Sequence, residues 1–485
     1  MLSPYEDATD AALPSSFRDP SGFVFERERV IYRQVNASYR EDFDHLLQSG
    51  LYEALQQQSL LIPHEDVTRT EAPRSDSPDT PYRILRPEPL EFVSYPYEWC
   101  FSQWKEAALT TLRLQKEALR FGMSLKDANA YNIQFRYGKP LLIDTLSFER
   151  YQEGEPWVAY RQFCQHFLAP LALMSHTDIR LGMYLRIHLD GIPLDLASHL
   201  LPWKTRFSPG LFAHIHLHAA TQKRYADRPV KEVSPAQAGK GGVSKNALLG
   251  LVDSLESAVR SLDWTPKGTV WANYYNETNY TDAGMEAKHR LVTSFLDTLQ
   301  ERSGKPPRSV WDLGANTGRF SRIASERGIS TIAWDSDPAA VEQGYRDVQQ
   351  RNDRHLLPLL QDLTNPSPEL GWAQRERLSF LSRGPADVLF ALAVVHHLAL
   401  ANNVPLPRIA QFLREAGNAL IIEFVPPQDS QAQRLLNGRA DRFPHYTQEG
   451  FEAAFGLYWE TLRAEPVEHG SQRILYLMRP RGSAE

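Results

Sequence analysis

From about 22 to 36, GFVFERERVIYRQVN alternates apolar and polar residues around a charged turn, a pattern that predicts two strands. Residues 39 to 58 carry helical spacing, and TRTEAPRSDSPDTP (68 to 81) is loop by composition. YRILRPEPLEFVSYPYEW then predicts extended chain leading into a long helix over about 101 to 121, with further helical spacing to about 220. We read this small strand region and the all-helical run after it as one domain, 1–223. Residues 224–245 are rich in Pro, Gly, Ser and Lys and read as a linker. A helix over 246–262, a polar aromatic stretch and a second helix to about 301 make a separate helical region, 246–307. From 308 to 485, strands near SVWDL, TIAWD, DVLFALAVV, ALIIEFV and RILYLMRP alternate with helices. That alternation predicts an α/β Rossmann-like domain on a parallel, doubly wound sheet.

With 485 residues, the chain has room for two or three domains. Apolar content of 42% and charged content of 23% fit a soluble globular protein, and no run reaches the roughly 18 apolar residues of a membrane helix. The opening MLSPYEDATDAALPSSF lacks the basic and apolar regions of a secretory signal, so the expected location is the cytoplasm. Cys100 and Cys164 are too few for a disulfide framework, and no metal site is expected. A formal charge of -6 gives no overall attraction to phosphate polymers, so nucleic acid is not an expected partner.

The segment WDLGANTGRF carries the main chemical clue. Asp312, Gly314 and Gly318 fall where a first strand turns into a helix, the place where a doubly wound sheet binds its ligand. The spacing G-A-N-T-G is not the dinucleotide pattern G-x-G-x-x-G. A carboxylate at Asp312 repels pyrophosphate and attracts an ammonium or sulfonium, and S-adenosylmethionine carries both cations.

Residues 308 to 485 resemble the class I S-adenosylmethionine-dependent methyltransferases. VWDLGANTG is similar to that family's first motif, which implies that Asp312 and the turn Gly314, Ala315, Asn316 and Gly318 hold the methionine part of the cofactor. Many family members have glycine where this chain has Asn316. TIAWDSDP puts Asp335, followed by Ser336, where the family's acidic residue takes both ribose hydroxyls. LLQDLT offers Asp362 for the adenine amino group and Leu363 beside the ring. YWETLRAEP with ILYLM resembles the hairpin that closes the family's sheet. A Rossmann-like domain for another nucleotide is the alternative.

The resemblance places substrate-side residues at the end of ADVLFALAVVHHL. If the acceptor is a hydroxyl, His396 or His397 is the candidate base, with one of the pair expected to be structural. Glu423, ending IIEF, is a further candidate for substrate binding or a structural hydrogen bond. Tyr274, Tyr275, Tyr280 and Lys288 are candidates for a lid, and Arg442, His445 and Tyr446 for the acceptor side. The expected acceptor is a small molecule, a sugar or a phosphorylated group.

In the amino-terminal half, SLKDANAYNIQFRYGKPLLIDTLSFE resembles the catalytic loop and metal-binding segment of protein-kinase-like phosphotransferases, implying an α+β kinase-like domain. Asp127 and Asn132 have that family's D-x-x-x-x-N spacing, and Asp144 stands where its later aspartate helps to hold magnesium on ATP. Residues 1–100 contain no lysine, however, so Arg33 is the nearby cation on a strand and only SGF hints at a glycine-rich loop. A degenerate domain is favoured over an active kinase. The alternatives are a bifunctional kinase and methyltransferase, or a non-catalytic scaffold that binds cofactor. GKGGVSKN (239 to 246) resembles a phosphate loop but follows no strand, and reads as linker.

Overall fold

The structure, a computed structural model, describes residues 12–69, 80–220, 242–266, 282–436, 443–468 and 470–482. They form two compact units: Met1–Trp264 with Glu369–Arg377, and Thr265–Pro368 with Leu378–Glu485.

The first unit begins with the predicted hairpin. Strands β1 (Gly22–Arg27) and β2 (Val30–Asn36) pair antiparallel around Glu28 and Arg29, both at positive φ. Strands β3 (His64–Asp66) and β4 (Pro81–Pro87) complete a sheet of order β1-β2-β4-β3. The helices Arg40–Gln48 and Leu51–Gln57 come between β2 and β3 in the chain, and Phe43 of the first packs with Val35, Tyr39, Leu85 and Leu146. The helix Phe101–Arg120 follows, as its spacing predicts; it buries Trp104, Ala107, Ala108, Leu112 and Leu119 along one side.

Two expectations need correction here. The run after 101 is not all helical, because four strands of three or four residues interrupt it: β5 (Met123–Leu125), β6 (Ile133–Arg136), β7 (Lys139–Leu142) and β8 (Phe148–Arg150). β5 pairs with β8, while β6 and β7 form a hairpin around Tyr137 and Gly138, both at positive φ. Such short strands take their order from neighbours rather than from their own periodicity. The second correction concerns the domain boundary. The helix Lys245–Ser261, assigned by sequence to the helical region 246–307, belongs to the first unit. Its stripe of Leu248, Val252, Leu255 and Val259 is buried, and Lys116 reaches its Asp253 and Glu256 at 2.6 and 2.5 Å. The linker residues 224–241 lie outside the described residues. Glu369–Arg377, from within 308–485, also counts with the first unit; Glu376 there accepts two bonds from Arg18, at 3.1 and 2.7 Å.

The second unit is the expected doubly wound domain. Strands β9 (Ser309–Leu313), β10 (Ser330–Asp335), β11 (Leu356–Leu360), β12 (Val388–Ala391) and β13 (Leu420–Phe424) are parallel. Strands β14 (Trp459–Pro466) and β15 (Ile474–Pro480) form the closing antiparallel hairpin, and the order is β11-β10-β9-β12-β13-β15-β14. The central strands β12 and β13 are buried at every position, so they read as apolar runs rather than alternating ones. On one face Val310, Phe390, Ile421 and Leu477 pack with Val292, Phe295 and Leu296 of the helix Asp282–Ser303. Trp311, Trp334, Phe380 and Phe412 make a run of ring contacts elsewhere in the unit. Among the described residues no helix is long and apolar enough to cross a membrane.

Candidate cofactor site

Neighbouring strands on either side of β9 run to opposite flanks of the sheet, which opens a crevice at their carboxyl ends. A cavity of about 250 Å³ lies there, lined from four strand ends by Gly314 and Asn316, Asp335 and Ser336, Gln361 to Thr364, and a group from Leu392 to Asn402 that includes His397.

The glycine turn explains its own composition. The N–H groups of Gly314 and Ala315 both donate to Trp334 O at 2.9 Å, which folds the chain back against β10. Gly314 has φ +74°, and a Cβ there would sit 2.2 Å from Val394 Cγ2, so only glycine fits. Asn316, at φ 52°, also adopts the left-handed region. Asparagine tolerates that region better than other side chains, so it suits this position of the turn.

Asp335 is the centre of the site. Its Oδ2 accepts from Asn316 N at 2.7 Å and its Oδ1 from Asp337 N at 2.8 Å. A carboxylate offers about four acceptor positions, so some remain beside these bonds, and the residue lines the cavity. Two vicinal hydroxyls match that spare capacity. Burial raises the Asp335 carboxyl to about 6, opposed by the backbone N–H groups of Asp337 and Asn316. Asp337 also caps the helix Pro338–Arg351, accepting from Ala339 N at 2.8 Å, with Pro338 at the first helical position. Asp362 accepts from Thr364 N and Oγ1 at 2.8 and 2.7 Å, and Leu363 and Leu398 supply apolar wall. A carboxylate that can accept from a diol, together with an apolar wall, fits the adenosine part of S-adenosylmethionine.

Several candidates occupy other positions. Asp312 is 2% exposed, behind the cavity lining, and accepts from Ser321 Oγ at 2.6 Å. Burial raises its carboxyl to about 7, with Ser321 and the Lys288 charge opposing. Ala315 is packed into a small core with Ala333, Val348 and Leu356 rather than lining the cavity. Lys288 is not an open lid residue: it is 3% exposed and donates to Glu423 Oε2 at 2.6 Å. Glu423, fully buried, lies 3.5 Å from Arg473 Nη1, and Arg473 Nε and Nη2 bond Asp429 at 2.8 and 2.9 Å. Tyr446 is buried and donates its hydroxyl to Val425 O at 2.8 Å, with its ring against Phe424, so it is committed to the core. His445 is exposed. Tyr274, Tyr275, Tyr280 and Arg442 lie outside the described residues.

The two histidines separate. His397 lines the cavity, and burial lowers it to about 4. His396 is 1% exposed and outside the lining, its ring 4.2 Å from that of His397, and neither of its nitrogens has a hydrogen-bond partner among the described residues. Burial first, then His397 and the charges of Arg473 and Lys288, hold it well below the usual histidine range. Arg473 is not singled out by the sequence; a basic residue just before the last strand is its only signal.

In the first unit, Asp127, Asn132 and Asp144 are each hydrogen-bonded within the protein. Asp127 Oδ2 accepts from Asn132 Nδ2 at 3.0 Å. Burial, then the charge of Asp144, raises the Asp127 carboxyl. Asp144 is already engaged: it accepts from Arg33, from Leu146 N at 3.1 Å and from Ser147 Oγ at 2.5 Å. Gly22 lies within β1, where a Cβ would meet Gln34 O at 2.1 Å, so its glycine serves strand packing rather than a phosphate loop.

Antiparallel β15 lies between β13 and β14, so a hairpin closes the sheet, as the sequence resemblance implies. No protein-family model matches the chain. Among solved structures, the bifunctional kinase-methyltransferase WbdD is 14% identical with a TM-score of 0.29, covering 43% of this chain and 42% of that one. The chain thus matches less than half the length of WbdD. Magnesium protoporphyrin IX methyltransferase (ChlM) from Synechocystis PCC 6803 with bound SAH is 18% identical with a TM-score of 0.30, covering 43% of this chain and 92% of that one. Nodulation protein NoeA of Rhizobium meliloti (strain 1021) is 35% identical over 463 residues, 95% of this chain and 94% of that protein. With that identity over nearly its full length, the chain belongs to the family of nodulation protein NoeA.

Proposed function

We propose that the second unit transfers a methyl group from S-adenosylmethionine to a hydroxyl on a small molecule, a sugar or a phosphorylated group. The observation that carries this reading is Asp335, a carboxylate at a strand tip that is oriented by the Asn316 and Asp337 N–H groups and lines a cavity. Gly314, Asn316, Ser336, Asp362 and Leu363 join it as the residues that hold the cofactor. The bound cofactor supplies an electrophilic methyl on a sulfonium, so this chain's task is to align the acceptor, exclude water and take up a proton.

His397 is the better base of the two histidines, because it lines the cavity, whereas His396 is buried outside the lining. Burial keeps the His397 imidazole neutral at neutral pH, so a ring nitrogen is free of its acid proton when the acceptor arrives. The ion pairs of Lys288, Glu423, Arg473 and Asp429 hold that side of the site in shape.

Arg33 on Asp144 favours a degenerate kinase-like first unit, with Mg/ATP chemistry absent, over a bifunctional enzyme. The buried free thiols Cys100 and Cys164 support a reducing, cytoplasmic setting. Calorimetry with S-adenosylmethionine tests the central reading: the wild type binds and Asp335→Ala does not. Binding undiminished by that change, or absent from the wild type, overturns it.

A further inference from the structure

We infer that the turn Trp203–Phe207 of the first unit is a docking surface for an anionic membrane surface. The segment WKTRF is a 3-10 turn between Pro202 and Ser208. Four of its five residues are exposed. Trp203 and Phe207 are each 74% exposed, yet their rings meet edge to face at 5.4 Å, so the two form one apolar knob on the surface. Lys204 and Arg206, both exposed, flank it.

The fifth residue explains why the knob stays outside. Thr205 is 2% exposed; its hydroxyl donates to Pro202 O at 2.7 Å and lies 2.9 Å from His216 Nε2. Because the Thr205 proton is used on Pro202, His216 must donate from Nε2 and accept the Ser198 hydroxyl at Nδ1, 2.8 Å away. This inward anchor fixes the turn, so its other side chains face water. The adjoining helical segment Phe212–Leu217, which carries His216, adds Phe212 and Leu217 at 45% and 49% exposure.

Single exposed apolar residues are ordinary, but contacting aromatic rings bracketing cations are not. The charge pattern selects the occupant. No acidic residue occurs between Asp195 and Asp227, although the chain as a whole carries a charge of -6. Exposed Trp and Phe beside Lys and Arg suit the headgroup layer, where the rings enter the apolar boundary and the cations meet lipid phosphates. The contact is peripheral, in keeping with the absence of a spanning helix among the described residues.

The test is flotation of the full-length protein with vesicles of phosphatidylcholine alone or mixed with phosphatidylglycerol. The wild type should float with the mixed vesicles, about thirtyfold tighter than with phosphatidylcholine, as two cations at a charged surface imply, and should be released by salt. Trp203→Ser with Phe207→Ser should abolish flotation, as should Lys204→Glu with Arg206→Glu, while Leu457→Ser, an exposed apolar change elsewhere, should not; circular dichroism shows that each variant is folded. Equal flotation of all forms, or none with anionic vesicles, overturns the proposal. So does a concentration-dependent dimer that the Trp203 and Phe207 changes dissolve without any vesicle binding, which would identify a second copy as the occupant.

Discussion

The backbone N–H of Asn316 donates to Asp335 Oδ2 at 2.7 Å, joining the turn after the first sheet strand to the tip of the second. A residue outside the usual glycine pattern and the acidic residue of a different strand thus make one structure. Asp335→Ala removes an acceptor for two ligand hydroxyls and for the Asn316 and Asp337 amides. The affinity for S-adenosylmethionine should fall on the order of a hundredfold or more, since each bond to a charged acceptor contributes about 1.5–3 kcal/mol. Titration calorimetry on the variant gives the value; a change below about threefold would exclude ribose binding by Asp335.

The pH dependence follows from the same residue. The folded Asp335 carboxyl is raised from 3.8 to about 6, and Asp312 to about 7, both chiefly by burial. The folded protein therefore holds protons that the unfolded chain has released between about pH 4 and pH 7. The contribution of these groups is fully present below the unfolded value and is lost as pH rises through the folded one. Cofactor binding has the opposite slope, because the ionised carboxylates favour a cation and accept hydroxyls. Affinity should thus rise from about pH 5 to about pH 8, with proton release on binding at the acidic end. Calorimetry in buffers of different ionisation enthalpy measures both, and a flat profile would show that neither carboxyl is ionised on binding.

The two histidines should separate kinetically. His397→Ala is expected to lower kcat by about 10²- to 10⁴-fold with a smaller effect on cofactor affinity. His396→Ala, at a buried position outside the lining, should leave both nearly unchanged and lower stability instead. Release of S-adenosylhomocysteine with an acceptor fraction from cell extract, read beside calorimetry, distinguishes them. Equal loss of cofactor binding in both would assign the pair to the wall.

The buried chain Lys288, Glu423, Arg473 and Asp429 should show its coupling in stability. Lys288→Met removes one partner of a wholly buried carboxylate and should cost about 3–5 kcal/mol, whereas Lys288→Met with Glu423→Leu should recover most of that loss. Denaturant unfolding of the two single variants and the double variant gives the coupling energy. Additive losses would mean that the 2.6 Å contact contributes nothing specific.

What sequence could reveal tracked how far each signal reaches along the chain. The parallel strands were legible because burial on both faces leaves apolar runs, and Asp312 and Asp335 stand at or near their ends. The cavity residues Asp335, Ser336, Asp362 and Leu363 were singled out by the family resemblance. Strands β5 to β8 were hidden, being too short for a period of two to stand out. Lys288, Glu423 and Tyr446 were recognised as polar residues near the site, but not as partners of one another or of the backbone. Their partners lie 135 and 21 positions away, and no local pattern records such a distance. Arg473 was missed for the same reason, with Asp429 44 positions off.

The pairing of Arg33 with Asp144 sets the last prediction, because it opposes two uses of one carboxylate. A magnesium-binding aspartate must keep its oxygens for the metal, whereas here Arg33, Leu146 N and Ser147 all donate to it. Both side chains are mostly buried, at 16% and 10% exposure, so removing either leaves a charge poorly solvated. Asp144→Ala should therefore lower unfolding stability by about 3–5 kcal/mol, while Arg33→Met with Asp144→Leu recovers much of it. A catalytic Asp144 predicts the reverse: little stability cost, and magnesium-dependent ATP binding by the wild type that Asp144→Ala abolishes. Denaturant unfolding and calorimetry with ATP and magnesium on the same three proteins decide between the two. Stability loss without nucleotide binding identifies a kinase-like scaffold in which arginine has taken the metal's place.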